Sequence, residues 1–298
     1  MKSYQGKTAV ITGAGSGFGL EVARLAAARG MKLVLCDVQV DALEAAAAEF
    51  AGREVLAQRV DVAKADQMQA LAEAVKVRFG APSFVFNNAG VGSGGLIWEN
   101  TLADWEWVLG VNLMGVVHGV RLFTPMMLEA AAADPAFEGH IVNTASMAGM
   151  LNAPNMGVYN VSKHAVVSLT ETLYQDLALV SDQVHCSVLC PYFVPTGISQ
   201  SHRNRPTELA GARPTRSQLI GQAMSDKAVN SGKVTAAEVA AMVFDAMDRE
   251  QFYVFSHPTL LSGVQTRLED VMQQRNPTSP FQDKPELGER LRTALKAS

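Results

Sequence analysis

Apolar positions in this chain fall into two alternating patterns. Short, nearly unbroken runs rich in Val, Ile, Leu and Phe cover 7–12, 32–37, 54–61, 83–90, 140–146 and 184–191. They lack the polar alternation of a half-solvated strand, so they predict strands buried on both faces. Between them, Ala, Leu and Val recur at three- and four-residue spacing over 18–30, 41–50, 64–80, 101–133 and 157–180, which predicts amphipathic helices. A further helix, 235–250, precedes a short strand at 252–256. Strands alternating with helices through right-handed crossovers give an α/β fold, a doubly wound parallel sheet of Rossmann-like type.

Two stretches break the rhythm. Residues 199–232 are polar and carry Pro and Arg, and an insertion of that length reads as a helical substrate lid. Residues 257–298, with Pro258, Pro277, Pro280 and Pro285, read as a C-terminal extension that is partly loosely ordered. The expected organisation is one catalytic domain over 1–256 followed by that extension.

Composition narrows the partners. With 298 residues, 48% of them hydrophobic, the chain buries a large core without a metal or disulfide staple. A net charge of −4 with no basic stripe argues against nucleic acid and anionic membranes. Three cysteines are too few for a disulfide framework, and the evenly spaced Cys186 and Cys190 share one strand face, as packing residues do. The six His show no ligand spacing, so no metal site is expected. The N-terminus has only a short apolar run, and "VLGVNLMGVVHGV" is interrupted by Asn112 and His118 and is too short to span a bilayer. A cytoplasmic protein is expected.

The first strand runs into "TGAGSGFG", with Gly13, Ser16, Gly17, Phe18 and Gly19 at the turn into the first helix. Glycine permits positive φ and close backbone approach, and the helix end offers free N–H groups to a pyrophosphate. Asp37 ends the second strand, where a carboxylate binds ribose hydroxyls and repels a 2′-phosphate; Val38 and Gln39 supply no cation for NADP. The cofactor expected is therefore NAD. The competing role for Asp37 is a cap on the next helix, which Asp41 could equally fill. In "YNVSK", Tyr159 and Lys163 stand four apart on one helix face, able to act on one object.

With "TGAGSGFG", "NNAG" at 87–90, "SMAGM" after a strand and "YNVSK" in that order, and Ser146 thirteen positions before Tyr159, the chain resembles the short-chain dehydrogenase/reductase family over about residues 5–256. The resemblance implies that Tyr159 is general base in alcohol oxidation and acid in ketone reduction. Lys163 would lower the phenol's pKa and hold the nicotinamide ribose, and Ser146 would steady the substrate oxygen. It implies that Asn112 holds a water near the lysine, although a satisfied buried amide fits the same residue. Asn88 would be chiefly structural, with Ala89 and Gly90 bordering the cofactor and Asp61 and Val62 contacting adenine. Pro191, Val194 and Thr196 match the family's segment at the carboxamide, whereas Tyr192 replaces its usual glycine and would narrow the pocket.

For the substrate, Gly92 to Ile97, Met147 to Asn155, Tyr192, Phe193 and the insertion are candidate walls. Leu96, Ile97, Met147, Met150 and Leu151 give them an apolar character suited to a bulky secondary alcohol or ketone. The arginines at 203, 205, 213 and 216 offer a carboxylate contact or simply a solvated face. The tail resembles that of members acting on aromatic or polycyclic alcohols, including aryl carbinols. A homodimer or homotetramer is implied through the helices near 101–130 and 157–180, where Val166, Leu169, Leu173 and Leu177 suit either the core or that contact. Direction is open, since the same residues serve a ketone reductase. A nucleotide-sensing protein with idle machinery would be expected to lack one of Ser, Tyr or Lys.

Overall fold

The computed structural model describes residues 1–210 and 213–296. Seven strands form one parallel sheet: β1 (Thr8–Thr12), β2 (Lys32–Asp37), β3 (Val55–Arg59), β4 (Phe84–Asn87), β5 (Gly139–Thr144), β6 (Val184–Cys190) and β7 (Tyr253–Phe255). Their order is β3-β2-β1-β4-β5-β6-β7. The winding reverses between β1 and β4, and a crevice opens there beyond the carboxyl ends of the strands.

The alternation of side chains along each strand sorts the core into two layers. Ile11, Leu35, Phe86 and Leu189 pack towards α1 (Gly17–Ala28), α2 (Val40–Ala48) and α8 (Ala236–Asp248). Val10, Val34, Val85 and Cys186 face α3 (Ala65–Phe79), α5 (Gly115–Ala133) and α6 (Gly157–Val180). Both sets are apolar, which is why these strands read as continuous runs. All three cysteines are buried and free, and Cys186 and Cys190 pack on one side of the sheet.

The helical region predicted at 101–133 is α4 (Leu102–Leu109), a π turn (Gly110–Met114) and α5. Thr101 and Asp104 start it with a reciprocal capping box. The run Leu102–Ala133 is unbroken over 32 residues, so by length and composition it reaches what a bilayer span needs, contrary to the sequence reading. Half of its apolar window is buried in the molecule, as a core helix requires.

The insertion contains a 3-10 segment (Gly197–Asn204) and α7 (Arg216–Asn230). Beyond β7, the tail expected to be partly loose contains α9 (Leu261–Met272) and α10 (Pro285–Lys296). Its prolines do not oppose helices. Pro258 starts a 3-10 turn, Pro277 and Pro280 lie between the two helices, and Pro285 opens α10, where its missing N–H is not needed.

Candidate active site

A cleft of about 1130 Å³ opens over the carboxyl ends of the strands. Every residue assigned from sequence to the cofactor or the chemistry lines it, except Gly19 and Asn112, which stand behind it.

At one end, β1 turns into α1. Gly13 and Gly17 hold φ of 66° and 54°, conformations that favour glycine. A Cβ on Gly19 would sit 2.0 Å from the Gly13 carbonyl oxygen, so the helix can pack this close only without a side chain. Ser16 is the N-cap, yet its hydroxyl makes no capping bond, and the first turn of α1 has no acidic residue. The helix end thus presents uncompensated N–H groups and a positive dipole to the cleft. Asp37 is 9% exposed and accepts hydrogen bonds from the amides of Gly15 (3.0 Å) and Gln39 (2.9 Å). It does not cap α2, whose N-cap is Gln39; Asp41 lies in that helix's first turn. A carboxylate fixed beside the glycine turn, a free helix end and the apolar Val62 together fit an adenine dinucleotide.

Asn88 is a clamp. Its amide group donates to the Thr12 carbonyl at 3.0 Å, its backbone N–H to Thr12 Oγ1 at 2.8 Å, and Thr144 Oγ1 donates to its side-chain oxygen. Three neighbouring strands are locked together next to the turn. Asp61 accepts from the Ala63 amide, and Thr196 starts the 3-10 segment of the insertion.

At the other end, Ser146 follows β5 and caps a 3-10 turn, accepting from the Ala148 amide at 3.1 Å. Its hydroxyl donates at 3.3 Å to the Pro191 carbonyl. Tyr159 and Lys163 project from the first turns of α6. Burial pushes the Tyr159 phenol above its usual value, and the neighbouring Ser146 hydroxyl partly offsets this. Lys163 is 3% exposed, and burial pushes its ammonium down to about 8. Its Nζ donates to the Thr144 carbonyl at 2.9 Å and lies 5.7 Å from the Tyr159 ring centre. The lowering of the phenol expected from Lys163 is therefore not what this geometry delivers: the ammonium is engaged by β5, and burial governs the phenol.

Asn112 sits in the π turn, a feature often found at functional positions. Its oxygen accepts from the Val91 amide at 2.8 Å, and its nitrogen donates to the Val91 carbonyl and to Ser162 Oγ. The side chain thus holds the loop after β4 against the catalytic helix. A water near Lys163 would need a second lone pair or a backbone carbonyl.

Several expected pocket walls lie elsewhere. The Leu96 amide is tied to Ser217 Oγ, Ile97 packs on Gly157 at the start of α6, and Met150 belongs to the core beside α6. Tyr192 does line the cleft; its ring leans on Phe193 and His257. Arg205 is paired with the buried Asp104 at 2.5 Å, Arg216 donates to the Ala294 carbonyl, and Arg203 meets Gln39 on the dinucleotide side. None of the three serves the substrate end. The sequence reading missed the tail, because Leu260, Gly263, Thr266 and Arg267 also line the cleft. Helical spacing of Leu261, Val264 and Leu268 was the available clue.

A parallel α/β sheet with a glycine-turn crevice and a Ser–Tyr–Lys cluster at its mouth defines a dinucleotide-binding oxidoreductase. Residues 7–207 match the family model for short chain dehydrogenases, and the chain belongs to the short-chain dehydrogenase/reductase family. It is 32% identical to the CLA biosynthesis dehydrogenase/reductase of Lactiplantibacillus plantarum over 91% of this chain and 95% of that one. It is 28% identical to the C alpha-dehydrogenase of a Sphingobium strain, covering 96% and 91% of the two chains. A short chain dehydrogenase/reductase from Burkholderia phymatum, solved in complex with NAD, superposes with a TM-score of 0.90 at 52% identity over 94% of this chain and 99% of that one.

Proposed function

We propose that the protein is an NAD-dependent oxidoreductase interconverting a hydrophobic secondary alcohol and its ketone. The observation that carries this reading is the convergence of Ser146, Tyr159 and Lys163 in a cleft whose other end is a free helix terminus beside Asp37. The similar Burkholderia protein in complex with NAD supports the choice of cofactor. NAD, when bound, supplies the carbon that accepts or returns the hydride.

The glycine turn and α1 would hold the pyrophosphate, Asp37 the adenosine ribose, and Val194 and Thr196 the carboxamide side. Ser146 orients the carbinol oxygen by a hydrogen bond. Tyr159 takes the hydroxyl proton in oxidation and returns it in reduction. Lys163, its ammonium anchored on the Thr144 carbonyl one helical turn from the phenol, would hold the nicotinamide ribose hydroxyls. The insertion 199–232 would act as a lid: Ser217 of α7 accepts from Leu96, and Ser201 accepts from Gly92 at 2.8 Å. Met147, Leu151 and Phe193 give the substrate end an apolar wall. Assembly into dimers or tetramers would use exposed Val161 and Tyr174 of α6, since Val166, Leu173 and Leu177 are consumed in the core.

The test is NADH formation against a panel of aryl, alicyclic and aliphatic secondary alcohols, run with NAD and NADP. Turnover with NAD and a clear preference over NADP is expected. Silence across the panel, or a preference for NADP, would overturn the substrate class or the role of Asp37 respectively.

A further inference from the structure

The tail brings one cation to the cleft for which the proposed chemistry has no use. Arg267 lies on the face of α9 that also carries Gly263, Thr266 and Asp270 to the cleft wall. This helix is seated on the loop after Ser146: a Cβ on Gly263, one turn before Arg267, would lie 3.6 Å from Leu151 Cδ1. Arg267 is half-buried and, among the described residues, has neither a hydrogen bond nor an ion pair.

The other charges of that wall are accounted for. Asp270 is 5% exposed; it accepts from Arg275 at 2.8 Å and from the amide and hydroxyl of Thr278. This buried carboxylate, three residues on from Arg267, is thus committed to Arg275 and Thr278 of the tail, and Arg275 is spent on it. Asp283 is exposed at the rim. Glu269 bonds to Gln265. On the adjoining helix, burial keeps His164 below its usual value, assisted by the Arg267 charge, so that imidazole adds no second cation. Its Nδ1 is engaged by the Asn160 carbonyl.

We propose that this end of the cleft is an anion subsite, in which Arg267 receives a carboxylate carried by the substrate at a distance from its reacting carbinol. The substrate is then an amphipathic hydroxy acid, whose apolar body lies along Met147, Leu151, Tyr192 and Leu260 between the two polar ends. A guanidinium forks onto a carboxylate through paired N–H bonds, and these gain strength beside low-dielectric walls. One unspent cation balances one carboxylate; a phosphate dianion would need a second, which Arg275 cannot give. This deepens the proposed function and relies on it only for the identity of the reacting group.

The test is calorimetric binding to the NAD-loaded protein of a homologous series of phenylalkanoates, their carboxamides and the matching phenylalkyl phosphates. These probes lack a carbinol, so the outcome is independent of whether secondary alcohols turn over. At the best-fitting length the acid is expected to bind about tenfold tighter than its amide. Arg267→Met should abolish that preference, and Arg267→Lys should keep part of it. Equal binding of acid and amide, an unchanged preference in Arg267→Met, or tighter binding of the phosphate than of the acid would overturn the assignment.

Discussion

Lys163 is a buried cation held without a carboxylate partner, and its cost can be measured. Burial takes the ammonium from 10.5 to about 8, while the unfolded chain keeps the ordinary value. Below pH 8 both states are protonated, and the folded protein bears the full penalty of the buried charge. Between the two values the folded state has lost the proton and the unfolded state retains it. Stability therefore rises with pH through that window. The linkage relation gives a gain of about 2.5 kcal/mol between pH 7 and pH 10 from this one group. Other groups contribute as the pH nears 10, including tyrosines that begin to ionise there in the unfolded chain while burial holds them protonated in the fold, so the comparison must be differential. Replacing Lys163 with Met keeps the volume and removes the titration. Urea unfolding of the apo forms at both pH values should show wild type gaining about 2.5 kcal/mol on the variant as the pH rises. At pH 7 the variant should lose less than a broken buried hydrogen bond to Thr144 would suggest, because it also sheds the charge. A wild-type-minus-variant difference that stays flat from pH 7 to 10 would show that Lys163 is not the destabilised cation described.

Two further substitutions probe the ends of the cleft. Ser146→Ala should lower kcat/KM by about 10²–10³ through loss of the donor at the developing charge. Because the Ser146 hydroxyl pulls the phenol down, its removal should also move the rising limb of the oxidation profile, where Tyr159 gives up its proton, to higher pH; an unmoved limb would dissociate Ser146 from Tyr159. Gly19→Ala places a carbon on the Gly13 carbonyl and should cost about 3 kcal/mol in urea unfolding, with weakened NAD affinity. Wild-type stability and affinity would refute the close approach of α1 to β1.

The strands and the order of site motifs were legible because each follows from a local rule. Buried parallel strands leave unbroken apolar runs, and a glycine turn between strand and helix marks itself. Asn88, Ser146, Tyr159 and Lys163 could be located because they sit at fixed distances from those marks. What sequence did not reveal depends on partners far along the chain. The direction of the Lys163 ammonium is set by the Thr144 carbonyl, nineteen residues away. Which arginines line the cleft without a partner depends on Asp104 taking Arg205 and on α9 folding back over the loop at Leu151. The prolines of the tail suggested loose chain, yet they occupy turn and first-helix positions that tolerate them. The capping boxes Thr215–Gln218 and Thr235–Glu238 stand at the starts of α7 and α8, local signals that the reading of the sequence left unused.

Whether the Tyr159 hydroxyl carries the proton is decided by a single comparison. Tyr159→Phe removes one oxygen from a buried ring and leaves the glycine turn, Asp37 and Lys163 in place. With a secondary alcohol accepted by the wild type and saturating NAD, its turnover should fall by at least about 10³-fold, while NADH binding, read by fluorescence, persists. Turnover within about threefold of wild type would mean that another group moves the proton, and the assignment of this cleft would have to be abandoned.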